Sequence, residues 1–139
     1  MNYYFDSEEF KSTSIYKNFI NINNGKGILK IEASTASEAY PLKGINITIS
    51  KMLNGNKVVF YEGVTNDSGI IDGIILPTRS MPDDVNDVSD INFTTYDLEA
   101  NYQEYNMNKL YDVSIFDNVK VIQPITFSIN ELIEGEENE

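Results

Sequence analysis

Asn66-Asp67-Ser68-Gly69 and Asp83-Asp84-Val85-Asn86-Asp87-Val88-Ser89-Asp90 are the two stretches where this sequence crowds side-chain oxygens together. Converging oxygens are what a hard cation such as Ca2+ needs, six or more of them, commonly from D-x-[DN]-x-[DN]-G with a distant Glu. The first stretch supplies only a fragment of that pattern. It also fits a corner between strands, in which Asn66 or Asp67 accepts backbone N–H groups and Gly69 takes a left-handed angle. We read it as a corner, with Asp67 and Gly69 in structural roles. The acidic run at 83–90 is the better cation candidate, since a loop with four carboxylates can wrap an ion, although such loops are commonly just solvated. The sequence leaves calcium there open and assigns no metal and no cofactor.

Other chemistry is narrowly bounded. With no His and no Cys among 139 residues, imidazole bases, thiolates, disulfides and nearly all zinc or iron sites are excluded. Carboxylate pairs hydrolyse glycosides only when one acid has a raised pKa and the second stands at a fixed distance across a cleft. No spacing here implies that arrangement. The single arginine, Arg79, reads as a loop residue. The expectation is therefore that the chain is not an enzyme.

The elements that would position these residues follow a period of two. Ile45, Ile47 and Ile49 alternate with Asn46, Thr48 and Ser50, and Tyr96, Leu98, Ala100 and Tyr102 alternate with polar neighbours, as half-buried strands do. Leu53-Asn54-Gly55-Asn56 lies between two such runs, and Asn54-Gly55 supplies the positive φ angles of a tight hairpin, joining about 44–52 to 57–64. Ile70-Ile71 and Ile74-Ile75-Leu76 read as a sandwich-interior strand with a bulge at Gly73. Further strands are expected near 110–116 and 120–129, which makes about seven at the spacing of an all-β, antiparallel Greek-key β-sandwich.

In the last strand, Val121, Gln123, Ile125 and Phe127 share one face. Gln123 is therefore expected to be buried, its amide bridging to a neighbouring loop, and Pro124 places that strand at a sheet edge or a bulge. Residues 1–24 read as an N-terminal extension dispensable for folding, 25–130 as the sandwich domain, and 131–139 as a solvated acidic tail.

A formal net charge of −12, from 22 acidic and 10 basic residues, would repel phosphate backbones and anionic lipid headgroups. Nucleic acid is not an expected partner, nor is membrane insertion. The start MNYYFDSEEFK has neither the basic residues nor the apolar run of a secretory signal, so synthesis in the cytoplasm is expected; the final compartment and the oligomeric state are not legible.

Read with their connecting motifs, the strands resemble a known family. Gly27–Ala33 (GILKIEA), Thr35–Lys51 (TASEAYPLKGINITISK), Thr65–Gly69 (TNDSG) and Ile74–Pro77 (IILP) follow the order of a carboxypeptidase-regulatory-like, or transthyretin-like, β-sandwich. Phe93–Leu98 (FTTYDL) and Ile115–Pro124 (IFDNVKVIQP) resemble, more narrowly, the accessory domain of clostridial spore cortex-lytic enzymes and related peptidoglycan-associated proteins. The chain departs from that pattern at Glu104-Tyr105, where Gly-Tyr is usual, and at Asn118, where Gly is usual. Asn tolerates left-handed angles, so the second change is mild.

The resemblance implies an interaction module associated with the spore cortex or cell wall. Its partner would be peptidoglycan or a wall protein, with Tyr40, Phe93, Tyr105 and Tyr111 as candidate ligand contacts. The alternative is a structural, assembly or adhesin-like sandwich that binds protein and no carbohydrate. Some related sandwiches carry a Lys–Asn amide crosslink. Lys30 sits opposite the Leu29, Ile31, Ala33 phase, so it should face outward, and no crosslink is expected.

Overall fold

Alternating side chains become two layered sheets. The computed structural model describes residues 2–37, 39–81 and 92–128. Strands β1 (Asn2–Tyr4), β4 (Asn56–Val64), β3 (Asn46–Leu53), β6 (Thr94–Tyr102) and β7 (Met107–Ile115) form one sheet in that order. Strands β5 (Ile70–Thr78), β2 (Gly25–Thr35) and β8 (Lys120–Phe127) form the other. Leu29, Ile31 and Ala33 of β2 are buried against Ile47, Ile49, Tyr96 and Leu98 of the facing sheet. The all-β sandwich expected from the period-two pattern is the architecture found.

Two pairings run parallel, β1 with β4 and β2 with β8. The second follows from a crossing between layers. After β7 the chain turns through Asn118, at φ +60°, whose N–H donates to the Lys26 carbonyl at 2.8 Å. It enters β8 alongside Ile28, in the direction of β2. Asn118 thus takes the left-handed angle that glycine takes elsewhere. At Glu104 the chain makes a short 3-10 turn, Gln103–Tyr105, closed by Asn106 at φ +54°.

The hairpin between β3 and β4 turns through Asn54 and Gly55, both at positive φ, as a two-residue primed turn requires. At the corner before β5, Asn66 Oδ1 accepts the Ser68 and Ile70 N–H groups at 2.9 and 3.0 Å. Gly69 has φ +75°, and a Cβ there would strike the Ala33 carbonyl. Asp67 pairs with Lys43 at 3.1 Å on the surface.

Hydrogen bonds also cross between the layers. Thr78 Oγ1 donates to the Ile115 carbonyl at 2.6 Å, and the buried Tyr96 hydroxyl donates to the Pro77 carbonyl. On the opposite edge, Lys109 Nζ donates to the Thr126 carbonyl at 2.7 Å.

The N-terminal segment corrects its expected role as a dispensable extension. Ser7 and Thr13 cap two helices, α1 (Glu8–Lys11) and α2 (Ser14–Ile22), by accepting the Phe10 and Tyr16 N–H groups. Phe10 is fully buried and Phe19 nearly so. Phe5 stacks on Phe60 of β4 at 4.5 Å between centroids, and Phe19 lies 5.4 Å from the same ring. The aromatic residues showed no period because the segment is a strand and two short helices, each turning a different residue inward.

Gln123 needs a second correction. The face it shares with Ile125 and Phe127 does point inward, but β8 is an edge strand whose first half is only partly covered. Gln123 is half-buried, and its amide donates to the adjacent Pro124 carbonyl at 2.9 Å rather than to a neighbouring loop. Residues 131–139 and the acidic run 83–90 lie outside the described residues. No helix among those described is long and apolar enough to cross a membrane.

Four outcomes are expected. Phe19→Ala should destabilise the whole sandwich by about 3–5 kcal/mol in a denaturant titration, the usual cost of emptying a buried phenyl site. Deleting residues 1–24 should abolish cooperative unfolding. Gln123→Ala should shift stability by no more than about 0.5 kcal/mol, since its amide bond is local and partly wet. Burial raises the pKa of the Tyr96 hydroxyl above its ordinary value. Its contribution to stability should therefore be complete below about pH 10, where an unfolded tyrosine ionises, and should be lost as pH rises further. Alkaline unfolding followed by tyrosinate absorbance measures this, and Tyr96→Phe should blunt it.

Candidate functional site

One end of the sandwich is closed by a chain of buried polar groups. Helix α2 stops where Asn23 turns back on it, donating from its backbone N–H and from Nδ2 to the Phe19 carbonyl at 2.8 and 3.0 Å. The Asn23 Oδ1 accepts the Thr94 hydroxyl hydrogen at the start of β6. Thr94 Oγ1 in turn accepts the Arg79 N–H at 3.3 Å, just beyond β5. Three distant segments therefore meet at one buried threonine.

A cleft of about 440 Å3 opens beside this junction. Helix α2 contributes Asn18 and Ile22, the β3–β4 hairpin contributes Lys51 and Asn54, and Arg79 and Phe93 complete the wall. Lys51 Nζ is anchored, donating to the Thr95 carbonyl at 2.7 Å and lying 5.8 Å from the Tyr96 ring centroid. Phe93 is 49% exposed, its ring held 5.5 Å from that of Phe116. The described residues lining the cleft include two cations and no carboxylate, in a protein whose net charge is −12. Such a set can stack a flat apolar face on Phe93, hydrogen-bond hydroxyls or amides through asparagines, and neutralise an anion.

Of the four aromatic candidates, only Phe93 lies in this cleft. Tyr40 is 60% exposed but belongs to the other end of the molecule, its N–H donating to Thr35 Oγ1 at 3.0 Å. Phe116 abuts Gly27, and the eight residues of β2 from there to Thr35 span roughly 26 Å at ordinary strand rise. Tyr105 and Tyr111 are corrected to packing roles. The Tyr105 ring lies 4.8 Å from that of Tyr102, against the core. Tyr111 pairs with Leu98 on the inner side of β7, and its hydroxyl accepts the Thr126 N–H at 3.4 Å. The four rings form no common surface.

Asn54, expected only as a turn residue, also lines the cleft. Lys51, Asn18 and Asn23 were not identified from the sequence as site residues. For Lys51 a trace existed, because it continues the inward phase of Ile45, Ile47 and Ile49, and a lysine on a buried phase marks an opening at the strand end. Among the described residues no group of three or more acidic side chains could hold a metal. Lys30 points outward beside Ile122, in line with its phase.

No protein-family model matches the chain, and no curated protein matches it. Solved structures do. The 5-hydroxyisourate hydrolase of Klebsiella pneumoniae is 15% identical with a TM-score of 0.45, covering 72% of this chain and 90% of that one. An (S)-allantoin synthase is 13% identical with a TM-score of 0.43, covering 76% of this chain and 42% of that one. Transthyretin from Sparus aurata is 14% identical with a TM-score of 0.39, covering 68% and 86%. Two of these three are enzymes by name, which corrects the expectation that this chain is not an enzyme: a sandwich of this kind is no ground for excluding catalysis. The β-sandwich itself is read from the two layered sheets, and the association with spore or cell wall rests on the residue resemblance alone.

Proposed function

We propose that this protein is an interaction module of a spore or cell-wall system, and that its ligand is a peptidoglycan fragment: an amino sugar with a peptide carboxylate attached. The observation that carries the reading is the cleft beside Thr94, where Phe93, the asparagine amides and the cations Lys51 and Arg79 converge. A sugar ring presents a flat C–H face to an aromatic side chain and hydroxyls to amides. A stem-peptide carboxylate is the anion that a guanidinium grips in bidentate fashion. The resemblance to domains of spore cortex-lytic enzymes supplies the ligand class, and the cleft supplies chemistry suited to it.

Titration of the full chain with soluble muropeptides, followed by calorimetry, tests this. Binding is expected, and Arg79→Ala and Phe93→Ala should each weaken it about tenfold, or about 1.4 kcal/mol, with unchanged thermal midpoints. The same sugars without peptide carboxylates should lose the Arg79 dependence. Absence of muropeptide binding, or binding untouched by both substitutions, would refute the reading.

A further inference from the structure

The two outer faces of the sandwich carry opposite charge. On the outside of the β4-β3-β6-β7 layer, Glu62, Asp97, Glu99 and Asp112 stand, among the described residues, against one lysine, Lys57, around the exposed Met52 and Leu110. Asp97 and Asp112 are direct cross-strand partners, a like-charge arrangement that costs stability unless a cation approaches. On the outside of the β5-β2-β8 layer, register places Lys26, Lys30 and Lys120 around Ile28, Ile75 and Ile122. Among the described residues the carboxylates there are Glu32 and Asp72, and Asp72 is already paired with Lys120 at 3.0 Å. Lys26 and Lys30 make no ion pair among the described residues. Leu110 is 75% and Ile75 62% exposed, so each charged frame surrounds an apolar centre.

We infer that the occupant of each face is a second copy of this chain, the acidic face of one molecule docking on the basic face of the next. Charge complementarity decides for a second copy. A protein of net charge −12 that keeps a lysine-framed apolar face on one layer and its cross-strand acid pair on the other carries both halves of one contact. The two halves lie on opposite sides of the molecule, so the contact is heterologous and does not close on itself. It propagates as a row of molecules. Four strands about 4.8 Å apart and about 30 Å long offer on the order of 500 Å2 per partner, below the roughly 800 Å2 of a stable complex. Association is therefore weak in solution and grows with local concentration.

Sedimentation velocity of the full chain over a wide concentration range tests this. The weight-average mass should rise with concentration past that of a dimer and fall back as salt is added, because screening removes facial attraction. Simple repulsion between molecules of charge −12 would give the opposite salt response. The variants Lys26→Glu/Lys30→Glu, with two acidic faces, and Asp97→Lys/Asp112→Lys, with two basic faces, should each stay monomeric and associate when mixed, provided each melts cooperatively. A wild-type chain that remains monomeric, an assembly that stops at a dimer, or association that either double variant retains alone overturns the inference.

Discussion

The aromatic contact between the N-terminal segment and β4 is the interaction on which the rest depends. Phe5 stacked on Phe60, with Phe19 and Tyr96 around the same ring, covers one end of the interior with side chains from four segments. Each phenyl group buried there contributes a few kcal/mol, comparable with a large part of the net stability of a domain this size. Through Phe19 the cluster fixes α2, and through the end of α2 it fixes Asn23 and the junction at Thr94. The cleft exists because that helix is held against the hairpin.

The same contact explains how a sandwich with one three-stranded layer is sealed. Strands β5, β2 and β8 cover less area than the five strands opposite. At one edge the closure is made by α2 and the Tyr96–Pro77 and Thr78–Ile115 bonds, and at the other by Lys109 reaching Thr126. No buried side-chain nitrogen or oxygen among the described residues lacks a partner, so these polar groups strengthen the closure instead of weakening it. The outer faces, by contrast, are left half apolar, and their charges are sorted by layer.

The proposed recognition cleft and the proposed assembly faces occupy largely different parts of the molecule. The cleft sits at one end of the strands, where the β3–β4 hairpin, both ends of the β5–β6 connection and a helix terminus meet, while the charged faces lie on the broad sides of the sheets. Met52 borders both, lining the cleft and standing on the acidic face, so a ligand at the end and a neighbour on that face would meet at this one side chain. A row of such modules would present its clefts along one side, which multiplies weak individual binding.

Local chemistry made much of this legible in advance. The alternation of Ile45, Ile47 and Ile49, the Asn54-Gly55 turn, the corner at Asn66–Gly69 and the left-handed Asn118 each follow from the geometry of a few consecutive residues, and the sequence determines them by itself. What it could not determine is which surface each inward phase meets. Gln123 shares a phase with Phe127 but lies where the edge of β8 is thinly covered, and Tyr111 lies on an inward phase that the facing layer reaches only in part. The N-terminal aromatic residues carry no period because their partners, Phe60 and Tyr96, are far away in sequence. Burial is a property of two elements at once, and only the tertiary structure brings the second one into place.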